Sequence, residues 1–109
     1  MKTGLILEGG AMRGMFSAGV MDVMMENGIL FDGIIGVSAG AAFGVNYKSG
    51  QIGRAIRYNA KYCRDKRYCG VVSLLKTGNL FNTEFCYGEV PLKLDVFDFD
   101  TYEKDPTAF

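Results

Sequence analysis

The most constraining feature of this sequence of 109 residues is a pattern that occurs twice: a short apolar run, a glycine-rich turn and a helical stretch. The first apolar run is Leu5–Leu7, and the second covers residues 32–37. Runs of this kind indicate buried strands, and the stretches over 15–27 and about 39–49 predict helices. Strand, turn and helix in alternation are typical of a parallel sheet. The sequence therefore predicts an α/β fold.

The rest of the chain is less regular. Residues 51–67 predict a third helix or two short ones, and residues 71–75 form an apolar run compatible with either type of element. Residues 78–90 predict a loop with one short helix, and the tail over 93–109 alternates acidic and apolar side chains. A chain of this length is enough for one small domain and too short for two.

The charge balance and the absence of histidine exclude several classes of function. Twelve basic and twelve acidic residues give a formal net charge of zero, so we expect no sequence-independent binding of nucleic acid. Without histidine, these residues alone form no Ser-His-Asp triad, no Cys-His pair and no His-ligated metal site. We predict neither a bound metal nor a cofactor.

The cysteines and the apolar segments indicate the compartment. Cys63, Cys69 and Cys86 are odd in number and form no C-x-x-C motif, which favours free thiols in a reducing compartment. No apolar run has the length of a signal-peptide core or of a membrane-spanning helix, which needs about 20 residues. We expect a cytoplasmic protein whose membrane contact, where it occurs, is peripheral.

The second turn carries the motif G-x-S-x-G, with Gly36 and Gly40 on either side of Ser38. A serine on a sharp turn between strand and helix has its hydroxyl lifted clear of the sheet, and small neighbours permit the turn. The N-terminus of the following helix favours a developing negative charge. The motif predicts Ser38 as a nucleophile in a nucleophile elbow. The alternative is a glycine-rich turn that serves only packing.

The first turn, Gly9–Gly14, reads G-G-A-M-R-G. Successive glycines expose backbone amides to an anion, as in an oxyanion hole. A dinucleotide-binding turn is the alternative, but Ala11 stands at its second glycine and Arg13 lies inside the turn. The acidic residue at the expected distance, Asp32, begins the next strand instead of following it. No phosphate-binding G-x-x-x-x-G-K-[ST] motif is present.

The two turns together resemble those of the patatin-like phospholipases. That family has a G-G-G-x-R-G turn after its first strand and a G-x-S-x-G elbow after a nearby strand, as here at Gly9–Gly14 and Gly36–Gly40. The stretch over 51–82 is similar to the bacterial branch of the family. The resemblance covers most of residues 3–100.

This resemblance implies a three-layer α/β/α fold with a mainly parallel sheet, and a serine hydrolase of lipid or other carboxylic esters. It implies Ser38 as nucleophile and the backbone of Gly9, Gly10 and Ala11 as oxyanion hole, with Arg13 supporting that loop. The family uses a Ser-Asp dyad without histidine. This sequence departs from the pattern at Ala11, where the family has its third glycine and where positive φ is costly.

The aspartate of the dyad has no counterpart in these residues. In the family it lies in a downstream D-G-[GA] motif, and the Asp-Gly pair at Asp32 begins the strand that Ser38 follows. Six residues of strand separate Asp32 from Ser38 by about 20 Å, far beyond hydrogen-bond reach. Four further aspartates lie in no such motif: Asp95, Asp98, Asp100 and Asp105.

We therefore expect residues 1–109 to be the N-terminal part of a single patatin-like domain, with the catalytic aspartate and further strands beyond Phe109. We expect the isolated chain either to aggregate or to be inactive. Two other functions stay open. One is a non-catalytic lipid-binding or regulatory domain of the same fold, and the other is an α/β-hydrolase whose histidine lies beyond Phe109.

A basic stretch over residues 48–67 has seven basic residues and one acidic residue. Arg54, Arg57 and Lys61 recur at helical spacing, which predicts peripheral contact with anionic lipid headgroups. The alternative is pairing with the acidic stretch over 84–105, which has seven acids and two lysines. The expected partner is a lipid or other ester substrate, and the oligomeric state stays open.

Overall fold

The structure is a computed structural model that describes residues 1–109. It contains two strands, five α-helices, a 3-10 turn and a π-helix. The strands and α-helices are β1 (Gly4–Leu7), α1 (Gly14–Glu26), β2 (Gly33–Gly36), α2 (Ala39–Lys48), α3 (Arg54–Tyr62), α4 (Val71–Thr77) and α5 (Phe99–Lys104). The 3-10 turn spans Ala11–Arg13, and the π-helix spans Phe85–Leu94. No helix has the length and apolar character that crossing a membrane requires.

The residues form two compact units. The first unit comprises residues 1–56 and 98–109, and the second unit comprises residues 57–97. The first unit contains both strands and three of the α-helices, and the second unit contains α4 and the π-helix. Helix α3 begins in the first unit and ends in the second.

The first unit is built on the parallel pair β1 and β2, which confirms the predicted α/β class. Ile6 pairs in register with Ile35, and their side chains are 77% and 62% exposed. Leu7 and Ile34 are buried. Because side chains alternate along a strand, one face of the sheet is packed and the other is open.

Helix α1 packs on α2 through small residues. The buried positions of α1 are Gly14, Ala18 and Met21, which share one face at helical spacing. A Cβ added to Gly14 would lie 2.8 Å from the ring of Phe43 and 3.2 Å from the Cβ of Ala39. The first turns of the two helices therefore lie side by side.

The end of the chain adds to the sheet. The amide of Ile34 donates to the carbonyl oxygen of Ala108 at 2.7 Å, and the amide of Ala108 donates to the carbonyl oxygen of Asp32 at 3.1 Å. These bonds place Ala108 in a parallel bridge with Gly33. The tail thus occupies a third strand position beside β2.

The second unit has its own small aromatic core. Tyr62 and Phe85 are buried and meet edge to face, with their ring centroids 5.6 Å apart. The hydroxyl of Tyr68 donates to the side-chain oxygen of the buried Asn59 at 2.9 Å. These contacts fix the end of α3 against the π-helix within this unit.

The third helix is shorter than the 51–67 that the sequence predicts. Gly53 has a φ of 77°, and its amide donates to a carboxylate oxygen of Asp22 at 2.8 Å instead of to a helical carbonyl. After the helix, a carboxylate oxygen of Asp65 accepts from the amide of Arg67 at 2.8 Å, which forms a local turn. The run over 71–75 is helical, as part of α4.

The three cysteines are free. Cys63 is exposed, and Cys69 and Cys86 are half-buried. Burial raises the pKa of the Cys86 thiol to about 11.

Candidate active site

Both glycine-rich turns begin at the carboxyl ends of their strands, and the two strands end at paired residues. Leu7 pairs in register with Gly36, and the amide of Val37 donates to the carbonyl oxygen of Leu7 at 3.0 Å. A Cβ added to Gly9 would lie 3.2 Å from the Cβ of Ser38. The fold therefore brings the two turns predicted from the sequence against each other.

Ser38 has a strained backbone, with φ 52° and ψ −119°. A non-glycine residue in such a region costs on the order of 1–3 kcal/mol. Ser38 is exposed at the N-cap position of α2, and its side chain makes no capping hydrogen bond to the helix. The other serines, Ser17, Ser49 and Ser73, are half-buried or buried. The serine on the sharp turn is thus the exposed one of the four.

The two glycines of the elbow are needed for close backbone approach. A Cβ on Gly40 would overlap the carbonyl oxygen of Leu7 and lie 2.7 Å from that of Glu8. A Cβ on Gly36 would lie 2.6 Å from the amide nitrogen of Ala41. Helix α2 can therefore begin directly against the ends of β1 and β2 only because these positions lack a side chain.

Arg13 folds back over the first turn. Its amide donates to the carbonyl oxygen of Gly10 at 2.9 Å. Its guanidinium nitrogens Nε and Nη2 lie 3.1 Å from the point that a Cβ on Gly10 would occupy. No hydrogen bond within the chain uses the amides of Gly10 and Ala11 as donors. Arg13 therefore lies where it can support a turn that presents free amides.

Ala11 adopts the left-handed conformation, with φ 46°. Glycine tolerates this conformation without strain. Ala11→Gly should relieve the strain of the left-handed conformation, but it also raises the backbone entropy of the unfolded chain. The net result we expect is an increase of about 0.5–1 kcal/mol in the free energy of unfolding. The measurement is urea unfolding followed by circular dichroism.

The matched control is Ala60→Gly on the exposed side of α3. There glycine should lower the free energy of unfolding by about 1 kcal/mol, because it is a poor helix former. Destabilisation by Ala11→Gly of the same size would show that position 11 is not left-handed in solution.

Asp32 lies at the far end of the sheet from Ser38, as the strand spacing predicts. Its carboxylate accepts from the amide of Thr3 at 2.7 Å, where β1 begins. It therefore joins the starts of the two strands, whereas Ser38 follows the end of β2.

The other six aspartates all have partners away from Ser38. Their carboxylates accept as follows: Asp22 from Gly53, Asp65 from Arg67, Asp95 from Arg57, Asp98 from Thr101, Asp100 from Lys104 and Asp105 from Thr107. The hydroxyl of Thr101 lowers the pKa of Asp98, and the guanidinium of Arg67 lowers the pKa of Asp65. A lowered pKa makes both carboxylates weaker bases.

The three basic residues expected at a lipid headgroup have different environments. Arg54 is 4% exposed and donates to the side-chain oxygen of Asn46 at 2.8 Å, so the expectation of headgroup contact is wrong for Arg54. Arg57 donates through two nitrogens to Asp95 at 2.6 and 2.7 Å, as the pairing alternative predicts. Lys61 is exposed.

No cluster of three or more cysteine, aspartate or glutamate side chains that could hold a metal ion occurs in residues 1–109. A family model described as Patatin-like phospholipase matches residues 5–109, which include both turns. No curated protein and no solved structure matches the chain.

Proposed function

Because the chain belongs to the patatin-like phospholipase family, we propose that it supplies the nucleophile and the oxyanion hole of a serine acyl hydrolase. The substrate class is the carboxylic esters of lipids. The observation that carries the proposal is the position of Ser38, which is exposed and strained on a sharp turn beside Gly9. Strain of this kind is retained where the surrounding structure holds a reactive group in place.

In the first step, the hydroxyl oxygen of Ser38 attacks the ester carbonyl, and a carboxylate takes the hydroxyl proton. Negative charge develops on the carbonyl oxygen. In this proposal the amides of Gly10 and Ala11 donate to this oxygen, and the N-terminus of α2 adds a favourable field. The support is that neither amide donates to a carbonyl within the chain. Loss of one such donor typically slows the reaction about 100- to 1,000-fold.

In the second step, the alcohol leaves with the proton and an acyl-serine remains. The same carboxylate then takes a proton from water as the water attacks the acyl carbon. It returns this proton to the Ser38 oxygen as the bond to the acyl group breaks, and the fatty acid is released. We propose that this carboxylate is an aspartate outside residues 1–109. The support is that all seven aspartates of the chain have hydrogen-bond partners other than Ser38.

A second candidate is a non-catalytic lipid-binding domain of the same fold. The hydrogen bonds that all seven aspartates make to other residues favour it, because a serine that no aspartate activates is a weak nucleophile. In this case the elbow and the first turn serve packing alone.

The experiment that separates the two uses the protein that carries the proposed base, together with its Ser38→Ala variant. It measures fatty-acid release from phospholipid vesicles and hydrolysis of a soluble ester by both proteins. Hydrolysis by the protein that the variant lacks supports the hydrolase. Vesicle binding by both proteins without hydrolysis by either would support the binding domain and overturn the proposed activity.

A further inference from the structure

The second unit contains a loop, residues 70–80, that main-chain contacts close at its base. Cys69 and Phe81 form an antiparallel bridge, and the amide of Gly70 donates to the carbonyl oxygen of Leu80 at 3.0 Å. We call residues 70–80 the clamped loop. These main-chain contacts hold the two ends of the loop together.

Helix α4 lies within the clamped loop and has an inverted pattern of burial, with a polar side chain buried and apolar side chains exposed. Its polar Ser73 is 4% exposed and donates its hydroxyl proton to the carbonyl oxygen of Asn79 at 2.9 Å. The exposed large apolar side chains of α4 are Val71, Val72, Leu74 and Leu75. Leu75 is 81% exposed. Most of the apolar surface of this helix is therefore exposed, while the buried Ser73 hydroxyl bonds the helix to the backbone at Asn79.

The charge of the second unit indicates what this apolar surface contacts. Residues 57–97 contain seven basic and four acidic residues, whereas the remainder of the chain contains five and eight. Five of the seven basic side chains are exposed and in no ion pair: Lys61, Arg64, Lys66, Lys76 and Lys93. Lysine is depleted at protein interfaces, whereas anionic lipid surfaces attract it.

We propose that the clamped loop binds the surface of an anionic lipid bilayer. Val71 and Leu75 are one helical turn apart on α4 and enter the boundary between headgroups and acyl chains. Lys76 and the other exposed cations of the second unit bind the headgroup phosphates. This binding does not depend on Ser38 chemistry, so it can hold or fail independently of the proposed hydrolysis.

The first test is sedimentation with phosphatidylcholine vesicles, with and without phosphatidylglycerol. We expect binding to require phosphatidylglycerol and to weaken with salt. Leu75→Gln should lower the partition coefficient about tenfold or more, because it removes a buried leucine side chain from the lipid. The matched control is Leu30→Gln in the first unit, where Leu30 is 82% exposed and binding should not change.

The second test uses the absence of tryptophan from the chain. Leu75→Trp should give an emission maximum that shifts to shorter wavelength when anionic vesicles are added, and Leu30→Trp should give no shift.

Four outcomes would overturn the proposal. The protein fails to bind anionic vesicles, or Leu75→Gln binds them as well as Leu30→Gln does, or the Leu75→Trp emission does not shift. A change of oligomeric state in Leu75→Gln, measured by sedimentation velocity, would assign the clamped loop to contact with a second copy instead.

Discussion

Ser38→Ala is expected to reduce ester hydrolysis by about 10,000-fold or more in the protein that carries the catalytic base. Loss of a serine nucleophile removes the covalent route and leaves only the contribution of binding and of the oxyanion hole. The fold should be retained, because Ser38 is exposed and its side chain does not cap α2. The measurement is the initial rate on a soluble ester, with circular dichroism to verify folding.

A second substitution at this position separates the strain from the chemistry. Ser38→Gly should also abolish hydrolysis, but it should raise the free energy of unfolding by about 1 kcal/mol, because glycine tolerates φ 52° without strain. Ser17→Gly in α1 is the control and should lower that free energy by about 0.5 kcal/mol. Activity that survives in either Ser38 variant would assign the chemistry to another residue.

Gly40→Ala is expected to lower the free energy of unfolding by about 3 kcal/mol or more, because its methyl group has no space. The Cβ would overlap the carbonyl oxygen of Leu7 and lie 2.7 Å from that of Glu8. Both obstacles are backbone atoms, so no side-chain rotation relieves the overlap. Helix α2 would have to move away from β1, and Ser38 would move with it.

Urea unfolding checks this expectation, with Gly88→Ala as the control. A Cβ on Gly88 would meet nothing within 4 Å, and its φ is not in the left-handed region, so the change there should be small. Normal stability of Gly40→Ala would contradict the close approach of α2 to the end of β1.

The strands and the two turns could be predicted from the sequence because each carries a strong local signal. Apolar runs beside glycines identify β1 and β2, and the spacing of Gly36 and Gly40 around Ser38 requires a sharp turn. The parallel pairing then places both turns at one edge of the sheet. Much of the candidate site thus follows from short-range patterns and one rule of topology.

Other features depend on contacts that a single sequence does not display. Helical spacing predicts an exposed Arg54, but the structure buries it against Asn46, and no local pattern indicates that pairing. The start of the third helix at Arg54, later than predicted, depends on Asp22, which accepts from Gly53 across 31 positions of sequence. The inverted polarity of α4 is equally hidden, since an apolar run ordinarily predicts burial.

The central claim is that Ser38 is an activated nucleophile, and fluorophosphonate labelling followed by tryptic mapping tests it most directly. Trypsin releases residues 14–48 as one peptide, in which Ser17 serves as an internal comparison for Ser38. The expected result is one adduct on Ser38 in the protein that carries the base, and none in Ser38→Ala. An adduct on another serine, or an adduct that persists in Ser38→Ala, would contradict the claim.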